Sequence, residues 1–333
     1  MSQGDLTVPD GDGASVLADM NAAHARLASK ASGTATPGDL ADYEEFVDTD
    51  TPGGGIVSHH IKDGAGTLIK LGQADNTNHT YKHDDSTLYL PSGFIDGYTY
   101  ANNGTDAAND IDFASGYAVD DTGAKLIRGG ALTKRLDVAW AVGTNEGMLD
   151  TGSVGNNQYY LYAILRSDTG VVDYLASLSA TSPTMPANYD YKRLIGWLLR
   201  ESGAIRAFKI YELPGGGIEL LWNSKSTDIS LAGQTFTTRR TDSIRAPTAF
   251  STLAHLTVSM VHSAGAGTVT CTVSNPELAA ADDITLTLQV VNIAIVSEIE
   301  TRLSAAGLLG SKSNTATLGG YVVKTHGFKW SRR

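Results

Sequence analysis

Closely spaced carboxylates are the residues of this chain best suited to chemistry. Asp110 and Asp112 stand two apart, and Asp120/Asp121 and Asp282/Asp283 are adjacent pairs. Residues i and i+2 of a β-strand project from one face. Asp110 and Asp112 could therefore flank a bound sugar, as glycoside hydrolysis requires of two carboxyls about 5–9.5 Å apart. The same spacing serves a turn or a polar rim equally well, and nothing else marks the pair as hydrolytic. His79 and His83 would share a face only on a helix, whereas the surrounding Asn78, Thr80, Asp84 and Asp85 favour a loop. Asp10-Gly11-Asp12-Gly13 resembles a fragment of a calcium loop, without its later ligands or closing glutamate. Gly215-Gly216-Gly217 lacks the lysine and following helix of a phosphate cradle and reads as a turn. No catalytic residue, metal or cofactor is expected. Tyr98, Tyr100, Tyr117, Trp222 and Trp330 are candidates for stacking on sugar rings if they are exposed.

The elements that would position these residues are mostly strands. After an extended Gly/Asp arm, 15–31 reads as a helix. Leu17, Met20, His24, Leu27 and Ala31 recur at alternating intervals of three and four, an a/d seam with His24 as a polar layer. Such a helix is marginal alone and needs a larger body or symmetry mates to pack on. Strand-like runs follow at 55–61, 67–71 and 87–90. Dense turn signals then separate strand-length segments through 93–203. The run Tyr159-Tyr160-Leu161-Tyr162-Ala163-Ile164-Leu165 is apolar or aromatic on both faces, so it is buried on both, in a core or between subunits. Tyr160, Tyr162 and Ile164 are the expected subunit contacts. Runs 194–200 and 205–211 flank Glu201-Ser202-Gly203 as a hairpin.

The last third alternates most strictly. Leu256, Val258, Met260 and His262 form one face, and Val269, Cys271 and Val273 another, making Cys271 an inert small hydrophobe. Over 284–296 the apolar phase switches, which requires a bulge or a crossing between sheets. The last strand is expected at 321–326. The expected fold is mainly β: a short N-terminal helical anchor (1–60), a β-rich middle domain (61–208) and a C-terminal antiparallel jelly-roll-like sandwich (209–333).

Composition agrees. The chain has 333 residues, 41% hydrophobic and 18% charged, with 36 glycines, one cysteine and net charge −11. A lone cysteine excludes a disulfide framework within the chain, and an acidic body argues against nucleic-acid binding. No apolar run approaches the roughly 18 residues of a membrane span, so no membrane insertion is expected. Residues 1–60 carry ten acids and two bases, whereas 301–333 carry six bases and no acid. This polarity suggests different partners at the two ends, with the basic end suited to an acidic surface or an anionic glycan.

An ordered series of short motifs resembles a module of tailed-bacteriophage fibre proteins. It runs from Leu90-Pro91-Ser92-Gly93 through Asp110-Ile111-Asp112-Phe113-Ala114-Ser115-Gly116 and Ala131-Leu132-Thr133-Lys134-Arg135-Leu136-Asp137. It continues with Trp140, Gly143-Thr144-Asn145-Glu146-Gly147, Pro183-Thr184-Met185-Pro186 and Tyr191-Lys192-Arg193-Leu194-Ile195-Gly196, and ends near Thr325-His326-Gly327-Phe328. The resemblance implies a non-enzymatic homotrimer located on the virion. Leu17, Met20, His24 and Leu27 would serve docking on other virion proteins or a trimer seam. The distal β domains would meet a host-surface glycan or protein. The alternatives are a structural adaptor or decoration protein of head or tail and, less favoured, a glycan-degrading tailspike using Asp110 and Asp112.

Overall fold

A computed structural model describes residues 32–33, 45–53, 56–75, 77, 80–83, 90–234, 236–262, 268–278, 284–289, 293–314 and 318–332. The expected helix at 15–31, with Leu17, Met20, His24 and Leu27, lies outside the described residues, as do Asp10–Gly13, His79 and Asp282/Asp283. The chain divides into two compact units, Met1–Tyr89 and Leu90–Arg333. The expected boundaries near 60 and 208 do not coincide with this division. Residues 90–208 and the C-terminal region form one unit, and their aromatic side chains share a core. Trp197 packs against Trp222 (ring centroids 5.9 Å) and Phe328 (5.1 Å), and Tyr160 packs against Phe250 (6.2 Å).

In the first unit, β1 (Ser32–Gly33), β2 (Glu45–Gly53), β3 (Ile56–Lys62), β4 (Leu68–Asp75) and β5 (Thr80–His83) form one sheet in that order. All its pairings are antiparallel except β1 with β2. Asp63 makes the β3–β4 turn, accepting hydrogen bonds from the Ala65 and Thr67 amides at 2.9 and 2.7 Å. The segment expected as a loop around His83 contains β5. Pairing with β4 supplies backbone partners that local propensity cannot reveal.

The second unit begins with β6 (Ile95–Gly97), β7 (Tyr100–Asn102), β8 (Asp110–Phe113), β9 (Gly116–Val119), β10 (Leu126–Gly129), β11 (Leu132–Ala139) and β12 (Glu146–Leu149). There follow β13 (Gln158–Arg166), β14 (Val172–Ser177), β15 (Tyr189–Glu201), β16 (Ala204–Ile205), β17 (Phe208–Leu213) and β18 (Gly217–Gln234). The last strands are β19 (Arg240–Ser243), β20 (Leu253–His262), β21 (Val269–Ser274), β22 (Ile284–Leu288), β23 (Ala294–Arg302), β24 (Leu308–Ser313) and β25 (Leu318–Ser331). They build a three-stranded sheet (β10-β9-β6), an eight-stranded sheet (β16-β15-β13-β14-β12-β11-β8-β7), a five-stranded sheet (β17-β18-β25-β20-β23) and a four-stranded sheet (β19-β24-β21-β22). Pairing is antiparallel except for β11 with β12 and β12 with β14.

The phase switch expected over 284–296 marks a crossing between sheets: β22 pairs with β21, whereas β23 pairs with β20. The four- and five-stranded sheets form an antiparallel sandwich. Tyr321 of β25 packs on Phe236 (5.2 Å), and burial, with Cys271 of a facing strand, raises its hydroxyl pKa against the opposing influence of Ser311. The hairpin after β15 turns on Ser202 (φ 52°) and Gly203 (φ 83°), the pair of positive φ values that a type I′ turn needs. It is short, because the chain leaves after Ile205 to start β17 in another sheet.

The strand expected to be buried on both faces is β13, and it is. Tyr160, Tyr162 and Ile164 are 3%, 1% and 0% exposed within a single chain. This corrects their assignment as subunit contacts. Flanked by β14 and β15 and covered by the chain's own core, they have no surface left for a second copy. Cys271 is also fully buried, and burial pushes its thiol pKa up to about 12. A thiol reagent should leave the native protein unmodified and label Cys271 at once in denaturant. Fast labelling of the folded chain would contradict this placement.

Candidate ligand groove

Strands β7 and β17 are the open edges of the eight- and five-stranded sheets, and they lie side by side. Asn102 joins them, its side-chain oxygen accepting the Phe208 amide at 3.2 Å. Beside this link lies a groove of about 680 Å³, lined by Thr99–Ala101, Asp112–Ala114 and Phe208–Glu212.

Its apolar part is aromatic and tightly fixed. The Tyr100 ring packs on Phe208 (5.4 Å) and Phe113 (6.2 Å). The Tyr100 hydroxyl donates to the Trp197 carbonyl at 2.7 Å and accepts from the Trp197 amide at 2.9 Å. Residue 196 must be glycine for the ring to lie there, since a Cβ would come within 2.4 Å of it. Among the other lining residues Tyr211 is 48% exposed, and Lys209 and Glu212 are exposed.

Asp112 provides an oriented acceptor. Its Oδ1 receives hydrogen bonds from Asn103 Nδ2 (2.8 Å) and Thr133 Oγ1 (2.7 Å), which fix the carboxylate at the groove. Asp110 shares the outward face of β8 but does not line the groove. Partial burial and the nearby Asp106 raise the pKa of its carboxyl, against the pull of Arg135, and Oδ1 is buried without a hydrogen-bond partner. The expected pair thus shares a strand face, but only one member reaches the groove.

The other sequence candidates resolve plainly. Asp120 is an internal loop brace: burial acts to raise its pKa, but hydrogen bonds from Thr122, Ala124 and Lys125 hold it below the usual carboxylate range. Asp121 pairs with Lys192 at 2.6 Å. Gly215 and Gly216 form a turn with positive φ. Of the five aromatics proposed for sugar stacking, Tyr98, Tyr100, Trp222 and Trp330 are buried, and only Tyr117 is exposed, with Arg128 over its ring.

Two bases of the C-terminal end, Lys329 and Arg332, are engaged within the chain. Arg332 is buried and donates to the carbonyls of Gly97, Tyr98 and Gly216, and its own carbonyl accepts from Arg193. Lys329 bonds to Glu300 at 3.0 Å, and His255 sits between Glu219 (2.9 Å) and Glu300 (3.0 Å). Arg302, Lys312 and Lys324 are exposed. Sequence inspection missed Tyr211 and Lys209, which sit in an ordinary strand pattern and line the same groove as Asp112 only through tertiary structure.

No protein-family model matches the chain, and no curated protein matches it significantly. Among solved structures, a tobacco streak virus coat protein aligns at 10% identity over 34% of this chain and 89% of its own, with a TM-score of 0.19. An exo-β-1,3-galactanase from Phanerochaete chrysosporium aligns at 12% identity over 86% and 69%, with a TM-score of 0.20. The structure of infectious bursal disease virus, Gx strain, aligns at 9% identity over 82% and 64%, with a TM-score of 0.19. TM-scores of this size do not establish a common fold.

Proposed function

We propose that the chain is a non-enzymatic fibre or spike subunit of a tailed-bacteriophage virion and that its groove adsorbs a saccharide of the host surface. The observation that carries the saccharide reading is the composition of the groove: its lining includes a half-exposed Tyr211, an Asp112 carboxylate oriented by Asn103 and Thr133, and the fixed aromatics Tyr100, Phe113 and Phe208. An aromatic ring takes the apolar face of a pyranose, and a carboxylate oxygen accepts from its hydroxyls. Glu212 and Asp112 against Lys209 favour a neutral sugar over an anionic one. The ordered motif series from Leu90 to Phe328 supports the virion assignment. In a homotrimer, three weak sites per appendage gain about 10²–10⁴ in avidity without strong single contacts.

The test is made on particles. Particles assembled without this chain are expected to form normally and fail to adsorb, while the purified chain sediments as a trimer. Loss of assembly in its absence would favour the adaptor or decoration reading instead. Leu17→Asp with Leu27→Asp should abolish incorporation into the particle while leaving residues 90–333 folded. Normal incorporation would place the anchor elsewhere.

A further inference from the structure

Lys134 and Asp173 are each 0% exposed, and Nζ lies 3.0 Å from Oδ1. Fully buried lysine is rare, and an isolated ion pair in a core seldom repays its desolvation. The surroundings of this pair do more than neutralise it. Nζ also faces the carbonyls of Ala141 (2.6 Å) and Gly143 (3.1 Å). In the neutral amine these two acceptors take both N–H bonds and leave the lone pair towards Asp173. The carboxyl in turn faces two amide donors, Gly143 N–H on Oδ2 (2.7 Å) and Tyr174 N–H on Oδ1 (2.6 Å). Such donors stabilise an oxyanion developing at that carbon. The Trp140 ring lies 5.7 Å from Nζ, and Tyr189 packs edge-on against Trp140 at 5.1 Å, excluding solvent. The Tyr189 hydroxyl and Trp140 Nε1 are buried without a protein partner, the kind of polar gap in which a single water is held.

We propose that Lys134 and Asp173 condense to an intramolecular isopeptide bond that ties β11 to β14. A proton passes from the ammonium to the carboxylate, giving a neutral amine and a carboxylic acid. Nζ attacks Cγ, the Nζ–Cγ bond forms, and one Cγ–O bond breaks. The departing oxygen leaves as water with two protons drawn from the original ammonium, so no oxidant or other reagent is required. Burial favours the first step, since it pushes the Lys134 ammonium below the usual lysine range against the opposing pull of Asp173. Holding the two groups in contact supplies the proximity, for which effective molarities of about 10⁵–10⁸ M are known. The product removes two buried charges and crosslinks strands that are not neighbours in the sheet.

The experiment is an intact mass of the purified full chain in denaturant, followed by tryptic mapping. The expected result is a mass lower than the sequence mass by one water, no cleavage after Lys134, and a branched peptide joining the Lys134 and Asp173 segments. Lys134→Arg, which keeps the charge pair, should restore its own full sequence mass. Asp173→Asn should lose ammonia in place of water. A wild-type chain at full sequence mass and cleaved after Lys134 would overturn the proposal and leave a structural ion pair. So would a mass loss that persists in Lys134→Arg.

Discussion

Replacing Trp197 with alanine is expected to destabilise the second unit by about 3–5 kcal/mol, the range for removing a fully buried large aromatic. Trp197 is 0% exposed and stands where the eight- and five-stranded sheets meet, against Trp222 and Phe328. Its indole N–H also donates to Gln158 at 3.2 Å, so truncation leaves a cavity and leaves the Gln158 oxygen with Thr248 as its remaining donor. Urea unfolding is the direct measurement. The midpoint should fall sharply with an unchanged slope, because the area exposed on unfolding changes little. Trp197→Phe should lose less than the alanine variant, since it keeps part of the aromatic contact. A cost below about 1 kcal/mol for the alanine variant, the scale of an ordinary surface site, would mean that the two sheets do not share this core.

The second large effect is functional. Tyr211→Ala should weaken saccharide binding by about 2 kcal/mol per site, roughly thirtyfold, the scale of an aromatic anchor at the centre of a contact. Stability should change by no more than about 0.5 kcal/mol, because the side chain is half exposed. Tyr211→Phe should retain most of the binding if stacking is the main contribution. Asp112→Asn keeps an oxygen to accept from Asn103 and Thr133 but removes the charge, so it should weaken binding without loosening the groove. On a trimer the per-site losses multiply through lost avidity, so adsorption to cells should fall further than single-site affinity. Wild-type adsorption by both variants would place the ligand elsewhere.

The fold class was legible because period-two alternation and turn residues are local properties. The apolar phase change over 284–296 even located a crossing between sheets, which β22 and β23 realise. Tyr160, Tyr162 and Ile164 show where local reading stops. The residues require burial on both faces, but whether one chain or its neighbour supplies the cover depends on tertiary arrangement. The aromatics follow the same rule, since Tyr100 and Trp222 carry the same side-chain types as a sugar platform yet are enclosed by distant strands. The groove was invisible for a related reason. Asp112 was identified from its spacing, but Tyr211 lies 99 positions later in the sequence and lines the same groove only because two sheet edges meet. Arg332 and Lys134 make the point for charge: by type both belong in solvent, and both are buried among carbonyls.

The most direct measurement is the binding of labelled full-length chain to a panel of bacterial cells before and after mild periodate oxidation of their surface sugars. Saturable binding to at least one strain, lost after oxidation and lost with Tyr211→Ala, is the predicted result. Binding that survives both treatments, or no binding across the panel, would contradict a saccharide-adsorbing groove.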